Sequence, residues 1–420
     1  MTSVGDEVEL TIGDPAPRGE CVARGPDGRV VFVRHALPGE RVRAVVTEEH
    51  RSFLRADAHQ VVDPSPDRVV PPCPRAGPGG CGGCDLQHVS LSAQRTVKAS
   101  VVATQLRRIA GVEVPVVVEA PPPSDGLGWR TRLRLAVDED GRVGLRRHGS
   151  HEVEVVDRCL VVHPLVEVAR QSVESGPGPA SVVVDTDPAT GARVAWVEPP
   201  SAADRARLLP HRSAVRGGPK TDSLVTQPIE RSAAGQRYRV SPGVFWQAHV
   251  AAPDLLVGAV LEAARVRPGE RVADLYSGAG LFAVPLAEAV GPGGAVVAVE
   301  RSPTACADAV HNTVEWSWVT VVEAPVAPRV LAQRVGQADV VVLDPSRKGA
   351  GAAVMRAVAA LGPRVVVSVS CDAATFARDA RVLLDAGWRL EGVRVFDLFP
   401  MTAHVELVGV LGPPAGDACR

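Results

Sequence analysis

The chain has 420 residues, more than one hydrophobic core usually supports, so we expect two or three domains. Its 45% hydrophobic and 22% charged residues exclude a mainly disordered, collagen-like or coiled-coil protein. The formal net charge of −2 excludes a uniformly basic nucleic-acid-binding protein, so any basic surface must be local. The N-terminus lacks a signal-peptide pattern, and no apolar run approaches the roughly 18 to 20 residues that span a bilayer. These features predict a cytoplasmic protein without a membrane partner.

Residues 1–60 have the pattern of a small β-barrel. Short runs at residues 8–12, 30–33 and 41–46 predict strands, and Gly-Pro-Asp-Gly at residues 25–28 predicts a turn. Evenly spaced short strands without a helix are typical of barrels that bind oligonucleotides, and equally of barrels that only support a fold.

A basic region follows. Residues 61–90 are rich in Pro, Gly and Cys, residues 92–109 predict a helix, and strands return between residues 129 and 156. Six arginines lie in this last stretch: Arg130, Arg132, Arg134, Arg142, Arg146 and Arg147. The first three alternate, so on a strand they share one face, which is either an RNA-binding face or an ordinary solvated one.

Beyond residue 250 the pattern is that of an α/β sheet. A helix is predicted at residues 253–264, and Val-rich strands at residues 271–276, 295–300, 338–344 and 364–370 alternate with further helices. Such runs indicate a parallel sheet covered on both faces. Ligands bind at the carboxyl edge of such sheets, where Asp344 ends the third of these four runs.

The loop after the first of these strands predicts a nucleotide cofactor. Gly278-x-Gly280-x-x-Ala283, with Glu300 twenty residues past Gly280, fits the dinucleotide fingerprint of an NAD enzyme. However, Asp274 before the loop would repel a pyrophosphate and attract a cation. The sequence therefore favours S-adenosylmethionine (SAM) and keeps an NAD-dependent oxidoreductase as the alternative.

Two reactive side chains follow. Cys371 lies between a strand and a helix, where the positive helix end would favour the thiolate, although a lone cysteine there is often a packed small hydrophobe. Asp372 is expected to cap the helix. Glu406 begins the last alternating segment, where an acid would be a poor core residue.

Cysteines in a reducing compartment are read as metal ligands or nucleophiles. Cys73, Cys81 and Cys84 lie close together and Cys159 is distant, a spacing that suits an iron–sulfur cluster better than zinc, with unligated cysteines as the alternative. Three other cysteines are expected to be structural: Cys21, Cys306 and Cys419.

Taken together, the motifs resemble the SAM-dependent RNA uracil-C5 methyltransferases, which form 5-methyluridine in tRNA or 23S rRNA. The matching segments are residues 19–33 and 37–40, residues 241–247, the loop after Asp274, Asp344-Pro345-Ser346-Arg347, Ser370-Cys371, and Pro400-x-Thr402-x-His404-Val405-Glu406. The chain departs from the family pattern at Ser346, Asp372 and His249, and in the wider spacing of Cys73 and Cys81.

The resemblance implies three domains: a TRAM-like β-barrel over residues 1–60, a small α+β domain over residues 61–240, and a Rossmann-like SAM-dependent methyltransferase domain over residues 241–420. It implies cofactor or substrate contacts at Gln247, Tyr276, Gly278, Glu300 and Asp344. It also implies a [4Fe–4S] cluster on Cys73, Cys81, Cys84 and Cys159.

The implied chemistry needs a nucleophile and a base. Uracil C5 is a weak nucleophile until a thiolate adds at C6, which is the role implied for Cys371. The C5 proton must then leave to a carboxylate, the role implied for Glu406. The expected partner is structured RNA, either tRNA or 23S rRNA, and no stable protein partner is implied. A catalytically inactive RNA-binding protein of the same fold is a further alternative.

Overall fold

The structure is a computed structural model that describes residues 2–123, 125–171, 180–198 and 228–414. Within these ranges no helix has both the length and the apolar character needed to cross a membrane. Cys419, predicted as structural, lies outside the described residues.

The N-terminal unit is a closed five-stranded barrel, as predicted. Its strands are β1 (Glu7–Thr11), β2 (Cys21–Arg24), β3 (Val30–Arg34), β4 (Arg41–Glu49) and β5 (Phe53–Asp63), in the order β1-β4-β5-β3-β2. The sheet closes because the Gly13 amide, after β1, donates to the Val22 carbonyl of β2 at 2.7 Å. Alternate residues such as Leu10, Val31 and Val42 fill the interior.

The middle of the chain forms a helix, a short strand and a second sheet. The elements are α1 (Leu91–Gln105), a π-helical turn (Leu106–Ala110), β6 (Val118–Glu119), β7 (Arg132–Val137), β8 (Val143–Arg146), β9 (Val153–Glu154), α2 (Pro164–Gln171), β10 (Ala180–Thr186) and β11 (Arg193–Glu198). The sheet order is β11-β10-β7-β8-β9. Its core includes Leu133, Leu135, Val166 and Val184.

Several of the arginines that were predicted to give this sheet a basic face are paired with other residues of the protein. Arg132 on β7 lies 2.6 Å from Asp185 on β10. Further contacts join Arg142 to Asp138 and Asp140, Arg147 to Glu152 and Glu154, and Arg146 to the His151 ring. These contacts neutralise much of the local positive charge, which the spacing of the arginines alone did not predict.

The C-terminal unit is a mixed eight-stranded sheet. A hairpin of β12 (Ile229–Ala233) and β13 (Gln236–Val240) precedes it. The further strands are β14 (Arg271–Leu275), β15 (Ala295–Glu300), β16 (Val319–Glu323), β17 (Val340–Leu343), β18 (Val365–Ser370), β19 (Arg389–Phe396) and β20 (Glu406–Gly412), in the order β16-β15-β14-β17-β18-β20-β19-β6. Strands β14 to β18 are mutually parallel where they pair, and β20 is antiparallel to both β18 and β19.

Helices cover both faces of this sheet, as the sequence predicts. They are α3 (Ala252–Ala264), α4 (Ala283–Val290), α5 (Pro303–Asn312), two helical turns (Pro328–Val330 and Leu331–Val335), α6 (Ala352–Ala360) and α7 (Ala373–Asp385). Successive residues of β14 lie on opposite faces of the sheet. Val272 belongs to the same apolar core as Leu256 of α3, and Ala273 belongs to the same apolar core as Val358 of α6. This alternation gives the sheet its two apolar layers.

The segment Leu91–Glu119, predicted as part of the central domain, is built into the eight-stranded sheet of the C-terminal unit. Val102 and Leu106 share an apolar core with Val341 of β17. Val118 of β6 pairs with Val395 of β19 in parallel register. The domain limits at residues 60 and 240 stay predictions. In sequence, this segment lies within the predicted central domain, but in space it packs with the domain predicted over residues 241–420.

Candidate active site

Three predicted cofactor or substrate residues meet at the carboxyl edge of the parallel strands. The last residue of β14 lies opposite the fifth residue of β15 and the last residue of β17. The next residues along these three strands are Tyr276, Glu300 and Asp344. The amide of Asp344 donates to the Leu275 carbonyl at 3.2 Å, so the backbone stays hydrogen-bonded to β14 one residue past the end of β17.

The register of β18 and β20 brings the predicted nucleophile and base together. These strands pair antiparallel, with Ser370 opposite Leu407. The next residues beyond this pair are Cys371 and Glu406, and the Glu406 charge acts on the Cys371 thiol. Opposite residues of an antiparallel pair have Cα atoms about 4.5–5.5 Å apart. Thiol and carboxyl are therefore neighbours at the same edge as Asp344.

The environment of Cys371 holds the thiol protonated, contrary to the expected thiolate. Burial, and then the charges of Glu406 and Asp344, raise the pKa of the Cys371 thiol to about 11, while Arg347 lowers it. Asp372 caps α7, as predicted, and its carboxylate accepts from the Thr375 amide at 2.7 Å. The helix end is therefore outweighed by desolvation and by two acids that are remote in sequence.

Glu406 and Asp344 are neighbouring acids, the first buried and the second partly buried. Glu406 is 3% exposed, and burial together with Asp344 raises the pKa of its carboxyl well above the usual value. Desolvation raises the pKa of Asp344 to about 7. The Gln247 amide donates from Nε2 to Oδ2 of Asp344 at 3.4 Å, so the predicted Gln247 lies at the same place.

The loop after β14 has the features of a site for a cationic ligand. Both carboxylate oxygens of Asp274 are buried and have no hydrogen-bond partner among the described residues. Burial, with Asp344 nearby, raises the pKa of Asp274 to about 8. Oε2 of Glu300 accepts from the Gly278 amide at 3.2 Å. Gly278 has φ +55°, a conformation that favours glycine.

Arg347 belongs to the Asp-Pro-x-Arg segment of the sequence, but its side chain was assigned no role in the site. It lowers the pKa of both Cys371 and Glu406, so its guanidinium lies near both. The available signal was its place three residues after Asp344, in a turn that leaves the carboxyl edge.

The four predicted metal-ligating cysteines line one cavity of about 300 Å³. They are Cys73, Cys81, Cys84 and Cys159, and Arg130 lines the same cavity. Burial raises the pKa of Cys84 to about 12. In the part of the chain that the structure describes, no group of three or more His, Cys, Asp or Glu side chains is arranged to hold a metal ion. The predicted cluster therefore has a common cavity but no preformed metal site.

Comparison with known proteins gives two domain matches. Residues 2–59 match the TRAM domain family. Residues 229–324 match the protein-L-isoaspartate(D-aspartate) O-methyltransferase (PCMT) family. The predicted N-terminal barrel is therefore a TRAM domain.

Full-length relatives decide the family. The chain is 42% identical over 435 residues to an uncharacterized RNA methyltransferase of Streptomyces coelicolor, covering 99% of this chain and 94% of the relative. It is 37% identical over 440 residues to the 23S rRNA (uracil(1939)-C(5))-methyltransferase RlmD of Alkalilimnicola ehrlichii, covering 97% of each. The chain belongs to the RNA uracil-C5 methyltransferase family.

The fold of this family member agrees with a solved structure. The tRNA (uracil-54, C5)-methyltransferase of Pyrococcus abyssi, in complex with S-adenosyl-L-homocysteine, matches with a TM-score of 0.68. The match covers 96% of this chain and 99% of that one at 23% identity, so it concerns the fold.

Membership in the RNA uracil-C5 methyltransferase family decides between the two cofactor readings of the glycine loop. The predicted SAM-dependent methyltransferase is confirmed as the class of this enzyme, and the NAD-dependent oxidoreductase is set aside. The buried Asp274 carboxyl agrees with that outcome, because a cationic ligand beside it would favour its ionised form.

Proposed function

We propose that this protein transfers the methyl group of SAM to C5 of a uridine in 23S rRNA through a covalent bond between Cys371 and C6. The observation that carries the proposal is that Cys371 and Glu406 directly follow the paired Ser370 and Leu407, and that the charges of Glu406 and Asp344 act on the Cys371 thiol. The choice of 23S rRNA rests on relatives that carry this substrate in their names at 37% and 34% identity. A tRNA is the competing substrate.

Cys371 supplies the nucleophile. Its thiol is half-buried and protonated at rest, so the thiol proton must pass to solvent before sulfur attacks C6. The Arg347 guanidinium favours the thiolate because it adds a positive charge beside the sulfur. Addition at C6 places an electron pair on the ring, and C5 becomes the nucleophile.

Asp274, Glu300 and Gln247 are the residues that would hold the cofactor. The unpartnered Asp274 carboxylate suits a positively charged group, and Glu300 is held beside the glycine loop by its bonds from the Gly278 and Ser302 amides. When bound, SAM supplies the methyl group that C5 accepts.

Glu406 then takes the proton from C5. Burial beside Asp344 raises the pKa of this carboxyl, which makes its ionised form a stronger base than an ordinary glutamate. As the C5–H bond breaks, its electron pair forms the C5=C6 double bond and sulfur leaves C6. Cys371 is released, and 5-methyluridine is the product.

The four cysteines of the cavity are proposed to hold a [4Fe–4S] cluster. The supporting observation is the donor set, since four cysteines from two distant segments line one cavity. Such a cluster would tie the segment of Cys73 to Cys84 to the segment of Cys159, and it takes no part in the steps above.

Iron and acid-labile sulfide, measured after anaerobic purification, test the cluster. We expect both in the wild type, their loss in Cys81→Ser, and their retention in Cys21→Ser, whose thiol lies in the barrel and bonds to the Ala36 carbonyl. Zinc without sulfide, or no metal at all, would refute the assignment.

Tritium release from C5-labelled uridine tests the methyl transfer. We expect release from a 23S rRNA transcript with SAM, no release from a tRNA transcript, and no release with Cys371→Ala. Cys21→Ala is the matched control, because Cys21 is a second buried thiol that lies in the N-terminal barrel and bonds to the Ala36 carbonyl. Release by Cys371→Ala would refute the thiol mechanism, and release from the tRNA alone would refute the choice of RNA.

A further inference from the structure

Lys98 of α1 is a buried lysine that takes no part in the steps above. Its side chain is 1% exposed, and Nζ lies 2.5 Å from Oδ1 of Asp397. It also donates to the Phe399 carbonyl at 3.0 Å. Lysine is almost never fully buried unless it is paired. Both acceptors belong to the segment between β19 and β20, so Lys98 binds that segment specifically.

Gln94, one helical turn before Lys98, binds the same segment. Its Oε1 accepts from the Met401 amide at 2.9 Å. Its Nε2 donates to the carbonyls of Leu86 and Val89, at 3.0 and 2.9 Å, which fixes the amide group. Gln94 is fully buried. Residues four apart share one face of a helix, so one face of α1 holds this segment at three points.

The segment these two residues hold leads directly to the proposed base. It runs from Asp397 to Val405, and Glu406 follows as the first residue of β20. Met401, at its centre, has φ +67°, a conformation that non-glycine residues rarely adopt. The Leu86 amide donates to the Met401 carbonyl at 2.9 Å. A strained residue persists only where surrounding contacts hold it.

We infer that Lys98 and Gln94 are positioning residues that set the carboxylate of Glu406 against the C5 proton of the methylated uridine. The inference rests on the proposed function. Neither residue contacts the reacting atoms; they act through the Asp397 side chain and through the backbone of Phe399 and Met401.

The inference predicts which step is affected. Sulfur addition and methyl transfer depend on Cys371, which is held by β18 and α7 and not by this segment. Transfer of the C5 proton to Glu406, with formation of the C5=C6 double bond and departure of sulfur, depends on the carboxylate position. A displacement of about 1 Å at a reacting group costs about 100-fold in rate.

The test compares two rates in Lys98→Met with a uridine-containing 23S rRNA transcript. We expect the covalent protein–RNA species to form at the wild-type rate and to resolve about 100-fold more slowly, so that it accumulates on denaturing gels. Deuterium at C5 should then give a primary isotope effect on product release. Gln94→Leu should show the same pattern.

Two further variants separate positioning from general destabilisation. Val102→Ala truncates a buried residue one turn further along α1 and should lower stability without accumulating the covalent species. Lys98→Met with Asp397→Asn removes both charges, so folding should recover while the Phe399 bond stays lost and resolution stays slow. Wild-type resolution in this double variant would overturn the inference.

Failure of the proposed function gives a different result. If the wild type forms no covalent species with a 5-fluorouridine transcript, the thiol mechanism itself fails. If the wild type forms it, but Lys98→Met slows formation and resolution equally, only the positioning role fails.

Discussion

At the scale of single residues, the site concentrates acids that do not ionise readily. Glu406, Asp344 and Asp274 all have raised pKa values, and burial is the first cause for each. Arg347 opposes this trend because its charge lowers the pKa of both Cys371 and Glu406. The site thus contains protonated acids, and a bound cationic ligand would lower their pKa values and favour their ionised forms.

Arg347→Met should raise the pKa of Cys371 further. Thiolate is the reactive form, and each unit of pKa changes its fraction about tenfold at neutral pH. We expect alkylation of Cys371 by iodoacetamide, followed by mass spectrometry of its peptide from neutral to alkaline pH, to slow by about that factor. Lys348→Met, at the adjacent exposed position, is the control. An unchanged profile for Arg347→Met would contradict the role of the guanidinium.

Asp274 should make stability depend on pH. Its pKa is raised from 3.8 to about 8 in the fold, so between these values the folded chain holds a proton that the unfolded chain has lost. The free energy of unfolding should therefore decrease as pH rises through this window. Asp274→Asn should flatten that slope in thermal unfolding, whereas Asp140→Asn, at an exposed turn, should not. An equal slope in Asp274→Asn and the wild type would refute this.

At the scale of elements, the pairing of β18 with β20 fixes the chemistry. Gly409 of β20 lies opposite Ser368, and a Cβ at this glycine would overlap the buried Phe376 ring of α7. The helix that begins after Cys371 therefore rests directly on the strand that begins at Glu406.

Gly409→Ala should lower the free energy of unfolding by about 1–3 kcal/mol, because the core has no room for the added methyl group. When Phe376→Ala is also present, Gly409→Ala should lower the free energy of unfolding by less, and a double-mutant cycle measures this difference. Gly392→Ala, where an added Cβ meets no atom within 4 Å, is the matched control. A near-neutral Gly409→Ala would show that α7 does not pack as described.

The sequence predicted the elements of the catalytic sheet well and their environment less well. Strand ends at Leu275, Leu343 and Ser370 lie within one residue of the predicted ones, because Val-rich runs between helices carry a strong pattern. The protonated state of Cys371 was not predictable, since it depends on Glu406 and Asp344, which are remote in sequence. The two-residue strand β6 also gave no signal, because so short a strand has no periodicity.

At the scale of the whole molecule, backbone bonds connect the cysteine cavity to the catalytic edge. The Gly128 amide donates to the Leu160 carbonyl, next to Cys159. Three residues further along, the Thr131 amide donates to the Ala248 carbonyl at 2.7 Å, next to Gln247. The short segment of residues 128–131 thus lies between the cysteine cavity and the catalytic edge, with a backbone hydrogen bond towards each.

RNA binding should depend steeply on salt, although the net charge is −2. Aromatic residues are only 4% of the chain, so we expect arginine–phosphate contacts to outweigh base stacking. Filter binding of a 23S rRNA transcript should weaken strongly between about 50 and 200 mM salt. A flat response over that range would contradict an electrostatic interface.

The most direct test of the account is the identity of the residue that bonds to the RNA. A 23S rRNA transcript with 5-fluorouridine cannot lose a C5 proton after methylation, so the covalent species should persist in the presence of SAM. Digestion and mass spectrometry should place a methylated fluoropyrimidine on the peptide that contains Cys371 and on no other cysteine peptide. Methylation of normal RNA without such a peptide, or with the nucleotide on another cysteine, would contradict the account.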